Sequence, residues 1–240
     1  MRRTLITGAT GGIGRAVAKE RAGEYTHLYL HYYQNKSAAL DIQEECRKLG
    51  SEVTLVQADF GLSTGANDCF EQLDAHIDDI IFASGTAFYG LLDDHADEEV
   101  DRLMNEHLGS PVRLIKRILP QMIAQKAGRI VLVASIWGEV GASFETVYSA
   151  AKGGQIAFVK ALAKEVAPSH ITVNAVSPGV IQTTQMEGFS QEELRQLSEE
   201  IPAGRFGYVH EVAHACNYLL SEEAAYVNGH VLSINGAWSG

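Results

Sequence analysis

Short, nearly continuous apolar runs alternate with amphipathic stretches along the whole chain. Runs of four to eight residues that are rich in β-branched side chains are typical of strands buried on both faces. The sequence predicts such strands at residues 4–7, 26–32, 52–58, 80–85, 130–134, 171–176 and 230–234. Strands of this kind indicate a parallel sheet that is covered by helices on each side.

The stretches between these runs carry the helical period. Helices are predicted after residue 12, from residue 37 to about 49, at 65–76, along the long pattern 97–125, from Tyr148 onward and at 209–220. Strict alternation of strands and helices predicts an α/β fold, a single domain spanning residues 1–240 with about seven strands in one doubly wound parallel sheet. Residues 182–207 break the alternation, and we expect them to form a mobile flap over a pocket.

Composition narrows the functional classes. With 46% hydrophobic and 20% charged residues the chain is typical of a globular protein with a full core. The formal net charge of −11 argues against a nucleic-acid or anionic-membrane partner. Three widely spaced cysteines predict reduced thiols, and no apolar run is long enough to span a bilayer, so we expect a cytoplasmic protein.

A glycine-rich loop follows the first predicted strand. Strand, loop and helix in this order are typical of dinucleotide-binding Rossmann-type folds, in which glycines let the backbone approach a pyrophosphate and helix amides face it. The predicted contacts are Gly8, Thr10, Gly12, Ile13 and Gly14.

The end of the second strand bears on the choice of cofactor. NAD-binding units place an acidic residue there to hold the ribose 2′-hydroxyl, and this chain has none. Polar and basic groups near that position could meet a 2′-phosphate, which favours NADPH over NADH; they are Arg15, Asn35, Lys36 and Ser37. The alternative is that Lys36 only begins an exposed helix.

The candidate catalytic residues follow the fifth strand. Ser135 ends that strand, and Tyr148 and Lys152 are one helical turn apart on the next helix, so that they share a face. A hydroxyl opposite a Tyr/Lys pair makes a plausible proton-transfer site. Taken alone, such a pair is more often an exposed tyrosine and a lysine with its head in water.

A second motif has another interpretation. His210-Glu211-Val212-Ala213-His214 matches the zinc-protease pattern H-E-x-x-H. It lies far along the chain from Ser135 and Tyr148, and we predict no metal site there.

Taken together, the motifs resemble the short-chain dehydrogenase/reductase family over the whole chain. The resemblance rests on Thr7-Gly8-x-x-x-Gly12-Ile13-Gly14, Asp59, Asn105, Ser135, Tyr148-x-x-x-Lys152 and Asn174-x-x-Ser177-Pro178-Gly179. Within the family, segments 201–207 and 228–230 are similar to those of 3-oxoacyl-acyl-carrier-protein reductases.

The resemblance implies a role for each residue. Tyr148 would donate a proton to a carbonyl oxygen, Ser135 would hold that oxygen, and Lys152 would favour the phenolate and bind the nicotinamide ribose. Asn105 would support a water chain behind the lysine, and Asp59 would contact adenine. The nicotinamide end would be met by Pro178, Gly179, Ile181 and Thr183.

Two positions depart from the family pattern. Phe82-Ala83-Ser84-Gly85 replaces the usual Asn-Asn-Ala-Gly, which puts that loop's hydrogen bonding to the central sheet in question. Gly11 stands where relatives that prefer NADP often carry Arg or Lys, although Arg15 and Lys36 remain available.

Three functions are consistent with this pattern. The first is NADPH-dependent reduction of a 3-oxoacyl thioester in fatty acid synthesis, with an acidic carrier protein as a possible partner. The second is reduction of the 5-aminopentanone modification on translation elongation factor P, a modified protein substrate. The third is a cofactor-binding regulator without turnover. By resemblance, we expect a homotetramer or homodimer.

Overall fold

In the computed structural model, which describes residues 1–183 and 190–238, seven parallel strands form one sheet in the order β3-β2-β1-β4-β5-β6-β9. This confirms the predicted doubly wound α/β fold. The strands are β1 (Arg2–Thr7), β2 (Thr26–Tyr32), β3 (Glu52–Gln57), β4 (Asp79–Phe82), β5 (Gly128–Val133), β6 (Ile171–Pro178) and β9 (Val231–Ile234). A small parallel pair, β7 (Ile181–Gln182) and β8 (Gly207–Tyr208), was not predicted from the sequence.

Helices cover both faces of this sheet. They are α1 (Gly12–Arg21), α2 (Lys36–Lys48), α3 (Gly65–Phe70), α4 (Asp97–Met104), α5 (Ser110–Gln125), α6 (Trp137–Val140), α7 (Thr146–Val166), α8 (Gln191–Glu200) and α9 (Val209–Leu220). One apolar layer packs α3, α5 and α7 against the sheet, and the other packs α1, α2 and α9. The strand order reverses between β1 and β4, and ligands of such sheets bind at that point, beyond the carboxyl ends of the strands.

The long helix predicted over 97–125 is interrupted. A π-helical turn, Asn105–Gly109, joins α4 to α5, and the amide of Ser110 bonds the carbonyl of Asn105 five residues back. Pro111 has no backbone N–H, so the carbonyl four residues before it cannot receive an α-helical hydrogen bond. The wider turn changes which side chains point toward the sheet.

The segment expected to be a flap contains regular structure. Ser190 caps α8, and its side chain accepts from the amide of Glu193 at 3.3 Å. Residues 184–189 of the predicted flap lie outside the described residues. Among the described helices, none is both long and apolar enough to cross a membrane.

Candidate active site

The carboxyl ends of β1, β4, β5 and β6 surround a cavity of about 270 Å³. Loops after these strands and one face of α7 form its walls. Of the residues predicted from the sequence, the cavity is lined by Gly12, Ile13, Gly14, Ser135, Tyr148, Lys152, Pro178, Gly179, Ile181 and Thr183. Residues separated by up to 171 positions are thus brought to one place.

Helix α7 carries two titratable groups of this cavity, Tyr148 and Lys152. The Lys152 ammonium lies 5.5 Å from the centre of the Tyr148 ring, as expected for side chains one turn apart. Lys152 is only 4% exposed, and its Nζ donates to the carbonyl of Val133 at 2.7 Å. The lysine is therefore an internal cation rather than a surface side chain.

Burial determines the protonation of both groups. It raises the pKa of Tyr148 to about 12, where the charge of Glu145 adds to the effect and the Ser135 hydroxyl opposes it. Burial also lowers the pKa of Lys152 to about 7, against the attraction of Glu106. At neutral pH the phenol holds its proton, while the lysine is near its titration midpoint.

The glycine-rich loop is tied to the loop after β4. Gly8 has a φ of +66°, and a Cβ there would lie 2.7 Å from the Cα of Ser84, so that only glycine allows this approach. The Thr7 hydroxyl accepts from the amides of Ala83 and Ser84 and donates to the Ser84 hydroxyl at 3.0 Å. Ser84 therefore joins the atypical Phe82-Ala83-Ser84-Gly85 loop to the central sheet, which answers the question that the sequence raised.

Comparisons with known proteins identify the family of this chain. A family model described as enoyl-(acyl carrier protein) reductase matches residues 8–239. The uncharacterized oxidoreductase YmfI of Bacillus subtilis is 43% identical over 235 residues, which cover 98% of this chain and 97% of YmfI. The chain belongs to the short-chain dehydrogenase/reductase family. It is accordingly an oxidoreductase of the kind that acts on CH–OH or C=O groups.

Other members of the short-chain dehydrogenase/reductase family are similar over the same length. The 3-oxoacyl-[acyl-carrier-protein] reductase FabG of Escherichia coli is 33% identical over 232 residues, covering 97% of this chain and 95% of FabG. Nodulation protein G of Rhizobium meliloti is 33% identical over 238 residues, covering 98% of this chain and 96% of that protein. The crystal structure of the angucycline C-6 ketoreductase LanV with bound NADP shares the fold, with a TM-score of 0.90 at 24% identity over 99% of this chain and 95% of LanV.

For a member of this family, the position of Asn105 is unexpected. The structure does not bring it into the cavity, and its side chain instead accepts from Arg113 at 3.1 Å. His107 faces the cavity instead: it is 2% exposed, and its ring meets the Tyr148 ring edge-on at 5.0 Å. Pro111, four residues after His107, was the signal in the sequence that could have indicated the change in helical face.

The His107 ring is held in one tautomer. The carbonyl of Thr86 can only accept, so His107 Nε2 carries the proton of their 2.6 Å hydrogen bond. Nδ1 is buried without a partner, and burial together with the Lys152 charge lowers the pKa of His107 to about 3. The ring is thus a neutral group between Thr86 and the Tyr148 ring.

The Asp59 carboxylate accepts hydrogen bonds from other residues of the protein. Arg102 donates to both of its carboxylate oxygens, at 2.9 and 3.1 Å, and the Gly61 amide donates to one of them at 2.9 Å. The Arg102 guanidinium also lies 5.3 Å from the centre of the Tyr33 ring. The predicted contact between Asp59 and adenine would have to share the carboxylate with Arg102.

The residues expected near the ribose 2′ position lie in two different places. Asn35 caps α2 by accepting from the amide of Ala38 at 3.0 Å, and Lys36 and Ser37 are exposed beside it. Arg15 pairs with Glu45 and faces a second cavity of about 1060 Å³ between α1, α8 and α9. This cavity does not include Ser135, Tyr148 or Lys152. Thr10 follows Gly8 in the loop and does not line the smaller cavity.

The H-E-x-x-H motif forms the start of α9. His210 and His214 are exposed, with ring centroids 5.7 Å apart, and His214 lies 3.1 Å from Glu20. Glu211 caps the helix and pairs with Arg205 at 2.7 Å. Within residues 1–183 and 190–238 there is no cluster of three or more His, Cys, Asp or Glu side chains suited to a metal ion.

Proposed function

We propose that this protein is an NADPH-dependent carbonyl reductase in which Tyr148 protonates the carbonyl oxygen. The observation that carries the proposal is the convergence of Ser135, Tyr148 and Lys152 on one cavity that also reaches the glycine-rich loop. A hydroxyl, a protonated phenol and a buried amine beside a dinucleotide loop have the chemistry that ketone reduction requires.

The residues present fit a nicotinamide cofactor. The cavity is open along Gly11, Gly12 and Gly14, and a Cβ on Gly12 would lie 3.0 Å from the Thr183 side chain. Amides at the start of α1 would hold the pyrophosphate. Pro178, Gly179, Ile181 and Thr183 would surround the nicotinamide. When bound, the cofactor supplies the hydride.

NADPH is favoured by the residues at the end of β2. Tyr32 and Tyr33 stand there, so no carboxylate repels a 2′-phosphate, and Lys36 is exposed at the start of α2. Phosphates are stabilised near helix N-termini and cations. The NADP bound to the structurally similar LanV supports the same choice.

Each protein group then has one task. Ser135 orients the substrate oxygen, and Tyr148, whose pKa is about 12 and which is therefore protonated at neutral pH, delivers the proton. Lys152 in its charged form stabilises the phenolate that remains. General acid catalysis of this kind contributes about 10²–10⁴-fold in rate.

The relatives favour a 3-oxoacyl thioester as the ketone. FabG of Escherichia coli is named for this activity, and the similarity extends over 97% of the present chain. An acyl chain on an acidic carrier protein would then enter between the loop after β4 and the start of α7.

The charge around the cavity mouth favours a second candidate, the 5-aminopentanone group on translation elongation factor P. Segments 84–94, 135–148 and 178–183 each contribute residues to the cavity wall, and segment 233–238 bonds the lining residue Gly179 through the carbonyl of Ile234; none of the four segments contains Lys or Arg. They carry four carboxylates, none of which lines the cavity itself, those of Asp93, Asp94, Glu139 and Glu145. A ketone attached through a basic amine would be attracted to this mouth, whereas a phosphate-bearing thioester would be repelled.

A direct comparison tests both substrates. NADPH oxidation is measured with acetoacetyl thioesters and, separately, with elongation factor P that carries the aminopentanone. Tyr148→Phe should reduce turnover of the true substrate by about 10²-fold or more while NADPH still binds, as followed by its fluorescence. Undiminished turnover in Tyr148→Phe would refute the proton-donor role. NADPH binding without turnover of any ketone would favour the regulator.

A further inference from the structure

A buried amide joins Lys152 to the π turn. The Nζ of Lys152 donates to Oε1 of Gln155 at 3.4 Å, and Nε2 of Gln155 donates to the carbonyl oxygen of His107. Gln155 is 0% exposed. Its amide cannot be reversed, because an ammonium only donates and a peptide carbonyl only accepts.

The carbonyl of His107 is available for this bond because of the local sequence. In an α-helix it would accept from the amide of residue 111, which is a proline without an N–H. A buried carbonyl that lacks its helical partner needs another donor. Gln155, facing it from α7, provides one.

We propose that Gln155 is a positioning residue for Lys152: anchored on the carbonyl that Pro111 leaves available, it holds the ammonium beside Tyr148 in its charged form. The effect of Lys152 on proton transfer by Tyr148 rests on the proposed function. The effect of Gln155 on the charge of Lys152 does not, because it involves only residues of the cofactor-free protein.

The surroundings of Lys152 make such an acceptor necessary. Taking an ammonium out of water is unfavourable unless its hydrogens are bonded. Among the described residues, its hydrogen-bond acceptors are the Val133 carbonyl and Gln155 Oε1. Three titratable groups face it. Tyr148 shares its helix, while Glu106 and the neutral His107 lie on the π turn. Of these, only Glu106 favours the charged lysine.

Two substitutions of Gln155 by side chains of similar size distinguish a positioning role from a role in packing alone. Gln155→Leu removes the acceptor, so the titration midpoint of Lys152 should fall by roughly one pH unit. Gln155→Glu places a carboxylate there, so the midpoint should rise. A residue that only fills space would not move the midpoint in opposite directions.

The midpoint is read in the cofactor-free protein from the ¹³Cε resonance of Lys152, assigned by its loss in Lys152→Met. Thr172→Val is the control, because it removes a buried hydroxyl that has no partner and lies on β6, away from the lysine. It should leave the midpoint unchanged. Native midpoints in both Gln155 variants would overturn the proposal.

If Gln155→Leu does not fold, the titration midpoint of Lys152 in Gln155→Glu is the test. A raised midpoint supports the positioning role of Gln155, and an unchanged midpoint overturns it. The pH profile of ketone reduction provides a second measurement: its alkaline limb should move in the same direction as the midpoint. Shifted midpoints in a protein that reduces no ketone would uphold the placement of Lys152 and refute the proposed function, so that the two failures remain distinguishable.

Discussion

His31 shows how one buried side chain can support the nucleotide loop. Its Nδ1 accepts from the amide of Gly8 at 3.1 Å, its Nε2 bonds the carbonyl of Ala58 at 3.1 Å, and its ring stacks on Phe60. Because an amide can only donate, Nδ1 must be unprotonated. The neutral imidazole is therefore part of the folded state.

This arrangement predicts acid sensitivity. Burial lowers the pKa of His31 to about 4, below the ordinary value of about 6.5. The unfolded chain then binds a proton that the folded chain does not, so stability from His31 is complete above pH 6.5 and is lost as pH falls toward 4. The share of His31 should reach about 1.4 kcal/mol per pH unit within that window, in addition to that of His107, whose pKa burial also lowers, to about 3, and urea unfolding measures the total.

Substitution of His31 measures how much of the acid sensitivity is due to this side chain. His31→Gln should be less stable at pH 7 but should lose less stability between pH 6.5 and 4 than the native protein. Phe60→Leu is the control, since it disturbs the same stack without removing a titrating group. If His31→Gln keeps the native slope, another group accounts for the acid sensitivity.

Two glycines of the same loop should respond differently to alanine. Gly8→Ala combines a φ of +66° with a Cβ only 2.7 Å from the Ser84 backbone, whereas a Cβ on Gly11 meets its nearest atom at 3.4 Å. We expect Gly8→Ala to cost more than about 1–2 kcal/mol in the free energy of unfolding and to abolish NADPH binding. Gly11→Ala should retain both, and equal effects at the two positions would contradict this account.

At the scale of elements, helix α7 was well predicted and the α4–α5 region was not. The i, i+4 spacing of Tyr148 and Lys152 depends only on local helical geometry, which the sequence encodes directly. The pairs Asp59–Arg102 and His107–Gln155 join residues 43 and 48 positions apart, and no periodic pattern reports such contacts. The resemblance to the family predicts Asn105 for the site, whereas the π turn places His107 in the cavity wall.

The π turn itself can be tested through its proline. Pro111→Ala restores an N–H that could donate to the His107 carbonyl and compete with Gln155. The midpoint of Lys152 should fall as in Gln155→Leu, by a smaller amount. Pro120→Ala, at the other proline of α5, should leave it unchanged because Pro120 is exposed and distant from Gln155. A midpoint that stays native in Pro111→Ala would show that the turn does not depend on the missing donor.

For the molecule as a whole, the alternation of strands and helices predicts the doubly wound parallel sheet, whereas the features that the sequence does not predict are contacts between distant residues. Seven strands with right-handed crossovers leave few possible topologies. Buried polar links, by contrast, depend on which side chains meet once the sheet has formed. The homotetramer or homodimer stays a prediction that light scattering can test.

The charge of the whole molecule bears on its substrate. A net charge of −11 and a cavity mouth without Lys or Arg in its described segments should attract cationic ketones. Asp93→Lys should raise KM for an amine-bearing ketone by up to roughly tenfold at low salt and lower it for a phosphate-bearing thioester. Both changes should shrink in high salt, because ions screen exposed charges.

The control for this prediction is the same charge change elsewhere. Glu223→Lys alters an exposed carboxylate beside Glu222, which pairs with Arg2 near the amino-terminal edge of the sheet. It should leave both KM values nearly unchanged. If Asp93→Lys and Glu223→Lys act alike, net charge rather than the mouth steers the substrate. If neither changes KM, charge does not select the substrate, and the support for an amine-bearing ketone is removed.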